Sequence, residues 1–273
     1  MKIHSVESRI LSFFSKICGI FCEEEGCCLY HYPQVQVGRF IDRPNRFIAH
    51  ALVAGKEITA HVKNTGRGKE VLLPLAEVAL SYQPSPKRKT DYDLIAVKKG
   101  TNPGFWINID SQVPNTLAAE GIRSGQILLP KLKGNITLVK REVVFEDSKF
   151  DIYIETDQGE QAFVEVKGMT LENNGIGAFP DAPTLRGLKH VEGLRRAIQA
   201  GYQGYVLFII QFEPVTSATI HQQMQPALAA AILSGQREGL TVLAYNCVVT
   251  PGTIAVKGSI PFELDQEFID PND

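Results

Sequence analysis

Two domains, a small β-barrel followed by an α/β (α+β) domain with a mixed central sheet flanked by helices, are what three features of this 273-residue chain predict. Short β-prone runs divided by turn residues fill positions 34–113, strand-like and helix-like segments alternate over 114–273, and the charge changes sign between the two stretches. Positions 34–113 carry twelve Lys and Arg against seven Asp and Glu, whereas 114–273 carry thirteen against nineteen. The net charge of −2 is therefore a cancellation. It does not argue against a polyanionic partner. With 44% apolar residues and no low-complexity tract or repeat, the chain is globular, neither disordered nor fibrous. No run of 18 apolar residues occurs, so no spanning helix is expected.

The first 33 residues form an extension. Ile10, Phe13, Phe14, Ile17, Ile20 and Phe21 recur at spacings of three and four, which predicts a short amphipathic helix with Ser12, Ser15 and Lys16 on its other side. Lys16 and Glu23 to Glu25 break the apolar stretch, so it is neither a signal-peptide core nor a membrane span. Packing on the main body or loose extension from it is expected, with attachment to a membrane surface as the alternative. Cys18, Cys22, Cys27 and Cys28 lie here and Cys247 far away. The spacing lacks the paired C-x2-C of a structural zinc site. An odd cysteine count without a signal peptide points to a reducing, cytoplasmic compartment.

Five candidate strands follow, at 35–41, 47–53, 58–62, 94–97 and 106–109. Asp42-Arg43-Pro44-Asn45, Ala54-Gly55 and two long polar loops divide them. Five short strands in eighty positions suit an oligonucleotide-binding (OB) fold barrel, whose loops and one sheet face take nucleic acid. Lys63-Asn64-Thr65-Gly66-Arg67-Gly68-Lys69 is one basic, Gly-containing loop and Lys87-Arg88-Lys89 another. Lys63, Asn64, Arg67, Lys87, Arg88 and Lys89 are therefore candidate nucleic-acid contacts, with Phe40, Phe47, Tyr82, Tyr92, Phe105 and Trp106 as candidate stacking surfaces.

In the second domain the pattern predicts a helix over 116–121, a strand over 136–145, a hairpin from 150–156 and 162–166, a helix over 184–200, a strand over 205–211, a helix over 226–238 and a final strand over 242–248. Leu185, Leu188, Val191, Leu194 and Ile198 mark the apolar face of the 184–200 helix. The run Tyr205 to Ile210 is apolar on both alternations, which requires cover on both faces of the sheet.

The hairpin carries the chemistry. Along its second strand Glu165 and Lys167 share one face and Val164 and Val166 the other. A turn centred on Gln158 sets Asp151 opposite Glu165, with Cβ atoms about 5 Å apart. Two like charges so placed repel, and a shared proton or a bridging cation relieves them. Carboxylates at that separation can ligate Mg²⁺, with Mn²⁺ as an alternative, leaving room for water and phosphate oxygens. Lys167 would then orient the attacking water and stabilise charge on the phosphate. Further on, Arg186, Lys189 and His190 recur at i, i+3 and i+4 near a helix N-terminus, a natural phosphate site, with Asp181 or Thr184 as its cap.

These residues resemble the sugar fermentation stimulation protein A (SfsA) family. The resemblance runs from about Gln34 to Leu264 through His61-Val62-Lys63-Asn64-Thr65-Gly66-Arg67, Asp151, Val164-Glu165-Val166-Lys167-Gly168-Met169-Thr170-Leu171, Phe179-Pro180-Asp181-Ala182, Thr184, Arg186-Gly187, Lys189-His190 and Val242-Leu243-Ala244-Tyr245. It implies an OB barrel followed by a restriction-endonuclease-like PD-(D/E)XK domain. By resemblance, Asp151, Glu165 and Lys167 fall on the nuclease motif and Glu142 matches an additional acidic residue. The family is described as binding DNA without marked sequence preference and as linked to regulation of sugar (maltose) metabolism. The first 33 residues have no counterpart in the family pattern, and Gln222-Gln223-Met224-Gln225-Pro226 stands where an acidic Asp-Pro stretch is usual. Two functions are thus expected to compete: a Mg²⁺-dependent nuclease acting on DNA, with RNA left open, and a regulator that binds DNA without cutting it.

Overall fold

Turn chemistry builds the first domain. The chain is described by a computed structural model over residues 28–272 apart from 65, 67 and 102. The helix expected over 10–21, with Cys18, Cys22 and Cys27, lies outside the described residues. After β1 (Leu29–His31) come β2 (Val35–Asn45), β3 (Ile48–Val53), β4 (Lys56–Val62), β5 (Glu77–Tyr82), β6 (Tyr92–Lys99) and β7 (Phe105–Asn108). Ala54 and Gly55, at φ 46° and 78°, make the two-residue turn between β3 and β4, where both positions need positive φ. The strands run in the order β4-β3-β2-β5-β6, and β4 also pairs in parallel with β6 through Ala60–Tyr92 and Val62–Leu94, closing a five-stranded barrel.

The barrel differs from its sequence-based outline in one strand and in β2, which runs on through Asp42-Arg43-Pro44-Asn45, expected as a dividing turn, so that the chain turns at Arg46-Phe47 instead. β5 lies within what reads as polar loop, whereas β7 continues the sheet outside the closed ring. β5 is short and buried on both faces, so no alternation marks it. Val78 and Leu80 fill the barrel with Phe40, Val62 and Leu94. Ala79, with Ile95 and Ala96 of β6, instead packs outward against the second domain.

That domain begins with α1 (Val113–Ser124), which has Pro114 in its first turn and stops at Gly125 in the left-handed conformation. Then come β8 (Ile136–Phe145), β9 (Ser148–Thr156), β10 (Gln161–Met169), β11 (Leu171–Asn173), β12 (Ile176–Phe179), α2 (Leu185–Gln199), β13 (Gln203–Ile210), β14 (Ser217–Ile220), α3 (Pro226–Glu238), β15 (Thr241–Val249) and β16 (Thr253–Ile260). The main sheet has the order β1-β16-β15-β13-β10-β9-β8, with β10, β13 and β15 mutually parallel, and β11-β12-β14 form a small second sheet. Tyr205, Leu207 and Ile209 of β13 face the cluster under α1, and Val206, Phe208 and Ile210 face the one under α2 and α3. Both faces are covered, as the doubly apolar run requires. Leu185 departs from the expected apolar face of α2 and is 80% exposed, because Thr184 caps the helix through Gly187 N at 3.0 Å and leaves the first turn outside the core. β15 is not the last strand, since it turns back into β16. Leu29–His31, within the N-terminal extension by sequence, pairs with β16. No helix among the described residues is long and apolar enough to cross a membrane.

Buried charge closes one end of the barrel. Asp93, fully buried on β6, accepts from Lys63 at 3.0 Å and from Arg88 at 3.2 Å, and Lys63 also reaches Asp110 at 3.4 Å. Asp110 follows β7, and its carbonyl and the Asn108 side chain both accept from Gln211 of the second domain, at 3.0 and 2.8 Å. Burial pushes the Asp93 carboxyl up, but hydrogen bonds from Arg88 and Lys63 and their charges outweigh it and hold it below the usual range. A carboxyl depressed in the folded state contributes stability that is full above its unfolded pKa of about 3.9 and is lost as pH falls through the folded value. Asp93→Ala is accordingly expected to lower the unfolding free energy at pH 7 by about 3 kcal/mol, because it strands Arg88 and leaves Lys63 with Asp110 alone. In urea titrations the gap to wild type should narrow below about pH 4.

Candidate active site

The β9–β10 hairpin pairs Gln161 with Glu155, Ala162 with Ile154, Phe163 with Tyr153 and Val164 with Ile152. Carried one residue further, that register sets Glu165 across from Asp151, but the strands part there. Val166 donates its backbone N–H to Asp151 Oδ2 at 2.8 Å, so a side chain takes the place of a ladder bond. Val164 and Val166 lie in the cluster under α1 with Ile152 and Ile154. Glu165 and Lys167 point to the opposite face, toward α2.

Glu165 is 1% exposed. Its Oε1 accepts from Lys167 Nζ and contacts His190 Nδ1 of α2, while Oε2 is buried and has no partner. On the other side of His190, Arg186 Nε donates to Nε2 at 3.5 Å. Asp151 Oδ1 accepts from Asn115 Nδ2 of α1 at 2.7 Å. The two acids therefore differ. Burial, then the neighbouring Glu165 charge, pushes the Asp151 carboxyl up against the opposing hydrogen bond from Val166. Burial also pushes Glu165 up, but the His190 contact and the Lys167 charge overcome it and leave Glu165 below the usual range.

The other sequence-predicted residues divide into those brought to this cluster and those used elsewhere. Glu142 comes close in register, since Arg141 pairs with Ile152 and Val143 with Phe150, which leaves it across β8 from Asp151. Its exposed side chain, on a residue at φ 58°, bonds Lys149 at 2.6 Å. Arg186 is exposed above His190, whereas His190 itself is buried behind Glu165 and is no surface phosphate ligand. Lys189 turns away to Asp147 at 3.2 Å, because residues i+3 and i+4 from Arg186 diverge around the helix. Lys63 and Arg88 are committed to Asp93 and are not part of a free basic loop. Lys87 and Lys89 are exposed. Arg67 lies outside the described residues. Of the candidate stacking rings, Phe40 is core, while Phe47 is exposed beneath the Arg46 guanidinium at 4.8 Å.

Asn64 lines a polar cleft of about 380 Å³ between the domains, with Arg46, Thr170, Asp181, Thr184 and Gln211. Arg43 holds its barrel side, donating to the carbonyls of Gly66 at 2.8 Å and Asn64 at 2.6 Å. Sequence reasoning misses Asn115, Arg43 and Gln211. A proline before Asn115 marks a helix start, but nothing local connects that start to Asp151.

A family model for the sugar fermentation stimulation protein RE domain matches residues 112–253, and one for the SfsA N-terminal OB domain matches residues 41–109. A sugar fermentation stimulation protein homolog of Enterococcus mundtii is 59% identical over 242 residues, covering 88% of this chain and 99% of its own length. One of Ruminiclostridium cellulolyticum is 41% identical over 233 residues, covering 85% and 99%. The solved structure of Pyrococcus furiosus SfsA in complex with Ca²⁺ shares the fold at a TM-score of 0.76 and 24% identity, over 86% of this chain and 98% of that one. An OB barrel followed by a restriction-endonuclease-like domain, as the resemblance implies, is the fold observed.

Removing the shared acceptor tests how the cluster is held. Glu165→Ala strands Lys167 and His190 and is expected to cost about 1–3 kcal/mol of unfolding free energy at pH 7. Glu165→Gln, which keeps an acceptor, should cost less in the same chemical denaturation series.

Proposed function

The chain belongs to the sugar fermentation stimulation protein family, and from that premise we propose that it binds DNA and hydrolyses its phosphodiester bonds with a divalent cation held at Asp151 and Glu165. The observation that carries this reading is the orphaned Glu165 Oε2, a buried carboxylate oxygen without a partner beside a second acid. A buried acceptor left open costs stability, and such costs persist where function uses them. Lys167 and His190 crowd onto the other oxygen and so leave Oε2 with its lone pairs free.

Those two carboxylates fit a hard cation with oxygen ligands. Among the described residues no group of three or more His, Cys, Asp or Glu could hold a metal, so the other coordination positions would fall to water and phosphate. Mg²⁺ is the cation we propose, with Mn²⁺ as substitute, and the Ca²⁺ of the Pyrococcus furiosus protein agrees with a divalent ion. When bound, such an ion supplies Lewis acidity to the attacked phosphate. The chain's own residues do the rest. Lys167 Nζ, anchored on Glu165, orients the attacking water and stabilises charge on the phosphate oxygens. His190 fixes the Glu165 rotamer, and exposed Arg186 holds a flanking phosphate. Glu142 assists from β8 once its side chain leaves Lys149.

The barrel, richer in cations, carries the nucleic acid through exposed Lys87 and Lys89 and the Arg46–Phe47 pair, without strong sequence preference. Both described cysteines, Cys28 and Cys247, are free thiols, which supports a reducing, cytoplasmic setting. The second reading, a DNA-binding regulator of sugar metabolism that does not cut, draws on Lys167, which already answers the Glu165 charge without a metal ion.

Cleavage assays separate the two. Single- and double-stranded DNA and RNA, incubated with Mg²⁺, Mn²⁺ or chelator, should be cut only with metal, and Glu165→Ala and Lys167→Ala should each abolish cutting. Salt-sensitive DNA binding without cleavage, unchanged in both variants, would favour the regulator. In binding titrations, Lys87→Ala with Lys89→Ala should reduce the log–log salt slope by about 2. Arg88→Ala should chiefly lower stability, because it uncovers Asp93.

A further inference from the structure

Each carboxylate of the pair is held from a different helix on a different face of the sheet. His190 of α2 contacts Glu165, and Asn115 of α1 donates to Asp151. The second contact has no counterpart in the motif read from sequence. We propose that Asn115 is a positioning residue for the metal site, fixing Asp151 in the rotamer that a divalent cation requires. This rests on the functional reading above and adds a residue to it.

Three observations converge on Asn115. Asp151 receives one N–H on each oxygen, the Val166 backbone at 2.8 Å on Oδ2 and the Asn115 amide at 2.7 Å on Oδ1. The first comes with the hairpin, so Asn115 is the side chain that decides how the carboxylate lies. One donor per oxygen also leaves each with a lone pair for a cation.

The donor is neutral. A Lys or Arg at position 115 would satisfy Asp151 equally well but would place positive charge where a cation has to enter, and Lys167 already brings one such charge to the Glu165 side. An amide orients the carboxyl without adding a charge that competes with the entering ion.

The platform is stiff. A Cβ on Gly168, the residue after Lys167, would lie 3.0 Å from Pro114 Cγ and 2.5 Å from Gln211 Oε1, so the start of α1 rests directly on β10 beside the site. Asp110 Oδ1 accepts from Gln112 N at 2.9 Å and ties the same helix end to the barrel. Asn115 thus reaches Asp151 from a fixed backbone, which is what a group that aims a metal ligand needs.

Mn²⁺ binding to the full-length protein, measured by isothermal titration calorimetry without nucleic acid, tests this directly. Wild type is compared with Asn115→Ala, with Asn115→Leu, which keeps the volume and removes the donor, and with Glu165→Ala as the variant that should lose binding. Both Asn115 variants are expected to bind Mn²⁺ about 10–100-fold more weakly. The metal-free melting temperature of Asn115→Leu should stay close to wild type, and the rise in melting temperature on adding Mn²⁺ should shrink. Wild-type affinity in Asn115→Leu would overturn the assignment while leaving the metal site standing. A melting temperature that falls in step with affinity would also overturn it, as a merely structural role. A wild type that takes up no Mn²⁺ would overturn the proposed function and this assignment together.

Discussion

A carboxylate buried inside a protein needs donors around it, and the second domain is arranged around two that have them. The parting of β9 and β10 at Asp151 makes this possible, because a backbone N–H that would otherwise close the ladder turns to the Asp151 side chain. β10 is then free to run on beside β13 as far as Met169, which carries Lys167 past the acids. α1 and α2 sit on opposite faces of the sheet and each supplies a side chain to one acid. Loss of the fork would close a regular hairpin and leave two repelling carboxylates with no reason to be buried.

Much of this was legible in the sequence where the controlling interactions are local. The turn at Asp157 to Gly159 fixes the hairpin register, and with it the opposition of residues 151 and 165. Pro226 and Gly239 punctuate α3, whose bounds match the pattern residue for residue. The illegible parts depend on distant partners. β5 shows no alternation because its outer face, at Ala79, is buried in the cluster that extends into the other domain. Asn115 is 36 residues from Asp151, and no local rule connects them. His190 sits on the predicted helix but serves Glu165, since a polar face does not announce whether its neighbour is solvent or a buried acid.

Charge shows the same ambiguity more sharply. Lys63 and Arg88 look in the sequence like the cations of nucleic-acid loops, yet both are spent on Asp93. Composition counts a cation identically whether it meets a phosphate or an aspartate. The barrel's cationic excess is therefore a poorer measure of its outward field than the exposed Lys87 and Lys89. On α2, Lys189 is likewise occupied by Asp147, and Arg186 keeps the outward position above His190.

The outer wall formed by Ala79, Ile95 and Ala96 has a consequence for how the molecule can be taken apart. These apolar residues are buried in one cluster with Val113, Leu117 and Ile122 of α1, and the segment from Asn108 at the end of β7 to Val113 at the start of α1 is too short to let the halves drift. Gln211 bonds back across the junction to Asn108. A fragment ending near residue 110 would bare a greasy flank and lose the partner of Asn108, and the complementary fragment would bare its mirror image. The two family models divide the chain at residues 109–112, while the apolar cluster and the Gln211–Asn108 bond run across that division and join the halves into one packed body.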